Sequence, residues 1–160
     1  MNVGILGSGG REHAICFSIK KSKNVKNIYC LPGNAGTSAI AENIQINISD
    51  FNAIKKFTEE KKIDLLIVGP EKPLVDGIVD FFLDTKVKIF GPNQAASQLE
   101  GSKIFTKKLC EKYNIPTANF GIFQNPNESK IFLEKTNYPI VIKADGLASG
   151  KGVYICENKK

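Results

Sequence analysis

The stretch GILGSGGREHA (residues 4–14) ends one apolar run, Val3 to Leu6, in a cluster of glycines and opens a helical pattern from about Glu12 to Lys21. Strand, glycine turn and helix in that order begin a βα unit. Glycine permits the tight turn, and the free N–H groups of a helix start favour an anion. The dinucleotide fingerprint asks for G-x-G-x-x-G, whereas residues 7–12 read Gly7-Ser8-Gly9-Gly10-Arg11-Glu12, without the third glycine. Such a site also needs an acid about twenty residues further on, to hold the ribose. The second apolar run ends instead in Cys30-Leu31-Pro32-Gly33. A nicotinamide-dependent oxidoreductase is therefore disfavoured. A plain structural turn is the simpler alternative, and His13 taken alone reads better as a helix-packing residue than as a catalyst.

The same alternation continues outward from this turn. Strands are expected at Ile28 to Leu31, more weakly at Ile44 to Ile48, at Leu65 to Val68 and at Lys88 to Phe90. Ser49 or Asp50 can cap a helix running to about Lys61, with Phe51, Ile54 and Phe57 on its inner face. LVDGIVDFFL (residues 74–83) reads as a helix despite Gly77. Repeated βα units with short, wholly apolar strands imply an α/β, doubly wound parallel sheet, with ligands at the carboxyl ends of its strands. After Pro92 the pattern changes. Two helices, Asn93 to Glu100 and Ser102 to Tyr113, break near Gly101. A strand at Ala118 to Phe123 and a helix at Glu128 to Thr136 follow, and then strands at Ile140 to Ala144 and Val153 to Cys156. Two strands cannot bury a core by themselves, so the C-terminal part is expected to be an incomplete domain.

Composition sets the class. With 42% hydrophobic and 24% charged residues in 160, the chain has the make-up of a soluble globular protein. No apolar run is long enough to span a membrane, and Met1 leads straight into a strand rather than a signal peptide. Cys16, Cys30, Cys110 and Cys156 are scattered in apolar contexts without metal-ligand spacing. They read as buried, reduced thiols, which points to a cytoplasmic protein. The net charge of +6 is spread over lysines without interleaved aromatics, so solvated surfaces explain it better than nucleic-acid binding. Of the 22 basic residues only Arg11 is an arginine. A chain that otherwise avoids arginine can keep one where a planar, bidentate guanidinium is needed.

Three more stretches carry chemistry. PGNAGT (residues 32–37) and VGPEKPLVDG (residues 68–77) follow the second and fourth strands, beside the first glycine turn. There Glu71, held between two prolines, could accept hydrogen bonds from sugar hydroxyls or an amine; a solvent-exposed loop acid is its plain alternative. Asn34 is equally readable as a turn residue. The third stretch, IVIKADGLASGKGV (residues 140–153), is rich in glycine and lysine but is no P-loop. Only three residues separate Gly146 from Gly150, and Lys151 is followed by Gly152 instead of Ser or Thr. It runs from strand to strand, as a flap.

GSGGREHA, PGNAGT, DLLIVGPEKPLVDGIVD, IFGPNQAASQLEGSKIFTK, IPTA and IVIKADGLASGKGV together resemble the phosphoribosylamine–glycine ligase (glycinamide ribonucleotide synthetase) family of the ATP-grasp superfamily, in the same order and over essentially the whole chain. The resemblance implies a pre-ATP-grasp, Rossmann-like substrate-binding domain over residues 1–101 and the beginning of an ATP-grasp domain over 102–160. Family members are roughly two and a half times longer. The implied reaction is ATP-dependent ligation of glycine to 5-phosphoribosylamine through a glycyl phosphate, in purine biosynthesis. ATP and Mg²⁺ or Mn²⁺ are implied, with the metal ligands beyond residue 160. Nucleic acid and membrane are not among the implied partners. Lys103, Lys143, Gly146, Ser149, Gly150, Lys151 and Gly152 are matched to the nucleotide side. Gly9, Gly10, Arg11, Asn34 and Glu71 are matched to the ribosylamine side. No catalytic residue or metal ligand is assigned within the chain, and the chain by itself is expected to be inactive. A non-catalytic nucleotide- or sugar-phosphate-binding fragment is the remaining alternative.

Overall fold

The computed structural model describes residues 1–148 and 150–159, which form two compact units, Met1–Ser97 and Gln98–Lys160. In the first, strands β1 (Asn2–Gly7), β2 (Asn27–Pro32), β3 (Glu42–Asn43), β4 (Leu65–Val68) and β5 (Lys88–Phe90) make one parallel sheet in the order β3-β2-β1-β4-β5. The expected doubly wound sheet is present. Because strand side chains alternate, the sheet feeds two cores. Leu6, Leu31, Leu66 and Val68 face helices α2 (Phe51–Glu60) and α4 (Ile78–Phe81). Val3, Ile5, Ile28 and Cys30 face α1 (Gly10–Ile19) through Cys16.

Helix α2 follows the expected pattern closely. Asp50 caps it, accepting a hydrogen bond from Ala53 N at 2.9 Å, an interaction worth about 1 kcal/mol. Ile54 and Phe57 are buried, and Phe57 meets Tyr29 edge to face with ring centroids 5.5 Å apart. Truncating a residue such as Ile54 to Ala costs about 2–5 kcal/mol.

Three elements differ from expectation. The third strand is Glu42–Asn43, not Ile44 to Ile48: Ile44 extends the ladder by one bond, N to Cys30 O at 2.8 Å, and then Ile44 and Ile46 turn into the core. The helix expected over residues 74–83 is two short ones, α3 (Glu71–Val75) and α4, because Gly77 adopts φ +92° between them. In the second unit, α5 (Gln94–Gly101) begins in the first unit and is followed by α6 (Lys103–Lys112) and α7 (Pro126–Glu134). Residues 118–123 form no strand, since the only strands described there, β6 (Ile140–Lys143) and β7 (Val153–Cys156), pair antiparallel with each other.

The cysteines divide. Cys16 and Cys30 are wholly buried with their sulfurs 2.9 Å apart, while Cys110 and Cys156 are only half-buried, contrary to the expectation of four buried thiols. The hydrogen bond shared with Cys16, and then burial, push the Cys30 thiol well above the ordinary cysteine range. A thiol reagent is therefore expected to modify Cys110 and Cys156 in the native protein and Cys16 and Cys30 only on unfolding, as mass spectrometry of the labelled peptides will show.

Candidate functional site

Register brings the loops of the first unit together. Gly7 pairs with Pro32 and Leu6 with Val68, so the chain leaves β1, β2 and β4 at one level. Gly33 N donates to Gly7 O at 3.2 Å and Gly69 N to Leu6 O at 3.1 Å, carrying the ladder into the loops. Asn34 ties the second loop to the first, its Nδ2 donating to Ser8 O at 2.9 Å and Gly9 O at 3.2 Å. Its Oδ1 accepts from Thr37 N at 2.9 Å. Buried Thr37 donates in turn to Asn43 Oδ1 at 2.7 Å. Asn34 thus acts here as a brace between loops, with its side-chain amide engaged by the protein.

Arg11 and Glu71, sixty residues apart, form an ion pair, Nη1 to Oε1 at 3.0 Å. A third group was not singled out from the sequence. Glu12 is buried, and its Oε1 accepts from Arg11 Nε at 3.1 Å while its Oε2 accepts from Gly9 N at 2.7 Å. This is half of a capping box, since the N3 glutamate reaches back to the N-cap N–H and glycine has no side chain to answer it. The signal is the spacing Gly9-x-x-Glu12, which a search for the dinucleotide fingerprint sees only as a missing third glycine. Gly10 beside it has no atom within 4 Å of where a Cβ would lie, so the loop is open to solvent there. His13 packs instead against the second loop, where a Cβ on Gly36 would come within 2.8 Å of its ring.

The second unit holds the glycine flap. Ala144 N donates to Gly152 O at 2.8 Å and Lys151 N to Ala148 O at 2.8 Å, closing a strand-to-strand loop. Gly146, Gly150 and Gly152 have φ of +85°, +76° and +72°, and no atom lies within 4 Å of a Cβ on the first two. Helix α6 grips the root of this loop. Asp145 accepts from Ser102 Oγ at 3.1 Å and from Ile104 N at 3.2 Å, and Lys103 Nζ donates to Gly146 O at 2.7 Å. Partial desolvation raises the Asp145 carboxyl, but hydrogen bonds from Ile104, Gly146, Ser102 and Lys103 outweigh it and hold it below the usual range. Lys143 lies on β6 opposite Val153, and both it and its neighbours Val141 and Ile142 are exposed. Ser149 lies outside the described residues. Among those described, no group of three or more His, Cys, Asp or Glu side chains could hold a metal ion, and no helix is long and apolar enough to cross a membrane.

Residues 1–100 match the family model for the phosphoribosylglycinamide synthetase N domain, and residues 101–160 that for its ATP-grasp (A) domain. The chain belongs to the phosphoribosylglycinamide synthetase family. It is 49% identical over 160 residues to phosphoribosylamine–glycine ligase of Clostridium acetobutylicum, covering all of this chain and 38% of that protein. It is 52% identical over 155 residues to the ligase of the same name from Mesorhizobium japonicum, covering 97% of this chain and 36% of that one. The crystal structure of the Thermotoga maritima phosphoribosylamine–glycine ligase superposes with a TM-score of 0.77 at 35% identity, covering 99% of this chain and 37% of that one. The chain therefore spans somewhat more than a third of the length of these family members.

The ion pair at the strand ends carries a pH signature. Hydrogen bonds from the Glu71 backbone and then from Arg11 hold the Glu71 carboxyl below its usual value of 4.5. A lowered folded value means that the stabilisation is complete above the unfolded value and is lost as pH falls through the folded one. Both side chains are about half exposed, so the pair is worth under about 1 kcal/mol and weakens in salt. Urea melts between roughly pH 3 and pH 6 should show the stability gap between wild type and Glu71→Gln shrinking in acid, with no such trend above pH 5.

Proposed function

We propose that the chain serves an ATP-dependent carbon–nitrogen ligase that joins glycine to 5-phosphoribosylamine, giving glycinamide ribonucleotide for purine biosynthesis. The observation that carries this reading is the match over essentially the whole of this chain, at about half identity, to proteins named phosphoribosylamine–glycine ligase. The residues support a division of labour. Residues 1–101 form the substrate-binding part, where the Arg11–Glu71 pair and the open Gly9–Gly10 turn receive the ribosylamine. Glu71 accepts hydrogen bonds from the ribose hydroxyls. Asn34 contributes by holding the Gly9 carbonyl side of that turn in place. Residues 102–160 belong to the ATP-grasp part and cover the triphosphate.

In the flap, glycines at positive φ let backbone N–H groups approach phosphate oxygens that any side chain would keep at a distance. Lys143 and Lys151, whose ammonium groups make no hydrogen bond among the described residues, supply positive charge. Lys103 holds the flap through Gly146 O and can turn to the nucleotide when the flap moves. The γ-phosphoryl group passes from ATP to a glycine carboxylate oxygen, leaving ADP. The ribosylamine nitrogen then attacks the glycyl carbonyl, phosphate leaves with the bonding pair, and the nitrogen loses a proton. Positioning and charge neutralisation are what such a transfer requires of the protein, together with exclusion of water from the acyl phosphate. Such transfers use Mg²⁺ or Mn²⁺; among the described residues no group of three or more His, Cys, Asp or Glu side chains could hold one.

A coupled ADP-release assay on the full-length protein should show turnover that requires both glycine and 5-phosphoribosylamine. Lys143→Ala should raise the KM for ATP about tenfold or abolish kcat, as expected for a lost charge-assisted phosphate contact. Unchanged steady-state kinetics would refute the role given to Lys143.

A further inference from the structure

Glu12 occupies the position at which a dinucleotide-binding loop carries its third glycine, and among the described residues it is the only buried charged side chain. Three backbones meet around it without side chains of their own. A Cβ on Gly7 would lie 2.6 Å from Glu12 Cδ, one on Gly9 2.9 Å from Oε2, and one on Gly69 2.6 Å from Cδ. The space shaped by these three glycines is thus filled by a carboxylate from the chain itself. That carboxylate takes the Gly9 N–H, one of the helix-start donors that an external phosphate would use. It also takes Arg11 by its Nε edge, while Glu71 takes Nη1. Arg11 Nη2 makes no hydrogen bond among the described residues, and the side chain is 55% exposed.

An exposed arginine on its own samples many rotamers and gives up that freedom when it binds. Two carboxylates at the starts of different helices, one of them buried, remove most of it beforehand. We infer that Glu12 is a positioning residue for the ribosylamine substrate: it holds Arg11 across the strand ends with Nη2 outward, and it closes the start of α1 to dinucleotide phosphates. This role rests on the ligase reading proposed above. Glu12→Gln keeps the shape but has one oxygen for two N–H donors, Gly9 N and Arg11 Nε, so its amide NH₂ must face one of them.

The test uses the full-length protein with 5-phosphoribosylamine, ATP and glycine varied in turn. Glu12→Gln is expected to raise the KM for phosphoribosylamine about tenfold, the loss expected for one hydrogen bond to a charged group. The KM values for ATP and glycine should stay within about twofold, a split that general destabilisation does not produce. Arg11→Gln should raise the same KM, and adding Glu12→Gln to it should change it by less than about twofold, because the one acts through the other. Effects that multiply in the double variant would overturn the inference, as would an unchanged phosphoribosylamine KM in Glu12→Gln. Should Glu12→Gln fail to fold, exposed Arg11→Gln carries the test, and an unchanged phosphoribosylamine KM there overturns the role. Absence of phosphoribosylamine-dependent turnover in the wild type would remove the ligase reading and this role with it.

Discussion

Strand β1 is hydrogen-bonded along both edges and buried on both faces, and that constraint places everything chemical in the first unit. A parallel strand so enclosed can present polar groups only where it ends. Its register with β2 and β4 makes three chain segments end together, and their loops then have to satisfy one another. Asn34 bonds to Ser8 and Gly9, Arg11 bonds to Glu71, and Glu12 bonds back to Gly9. The site is therefore a continuation of the sheet by side chains, which explains why Arg11 and Glu71, sixty apart in sequence, are paired.

The second unit is built differently. Nothing in β6 or β7 is buried, and Val141, Ile142, Tyr154 and Ile155 are exposed apolar residues. The flap is anchored by hydrogen bonds at its root, from Ser102, Lys103 and Ile104 to Asp145 and Gly146, and not by a core. Polar anchoring at the root with glycines at the tip is what the proposed phosphate-covering role asks of this segment.

Much of the fold could be read from the chain because the strands are short apolar runs and Asp50 caps α2 where a cap was expected. What escaped was carried by other signals. Strand β3 consists of Glu42 and Asn43, polar residues on a sheet edge, while the more apolar Ile44 and Ile46 turn inward and leave the sheet. Gly77 looked tolerable inside a helix because periodicity ignores φ, yet its left-handed conformation divides α3 from α4. Of the candidate site, Arg11 and Glu71 are conspicuous in the sequence by residue type, but their pairing is not. Glu12 is half legible: Gly9-x-x-Glu12 carries its helix-start bond, but its burial against Gly69, just past another strand, leaves no mark in local spacing.

The two units share one device. At α1 the Gly9 N–H is met by Glu12 from within the helix, and at α6 the Ile104 N–H and the Ser102 hydroxyl are met by Asp145 from the flap. In each, the partial positive charge of a helix start is turned toward the protein's own anion. The helix ends serve as fasteners, and in the proposed ligase recognition of an incoming phosphate falls to lysine ammonium groups and glycine backbone. Those contacts can form and break without loosening either unit, and a product carrying phosphate can leave without taking a structural joint with it.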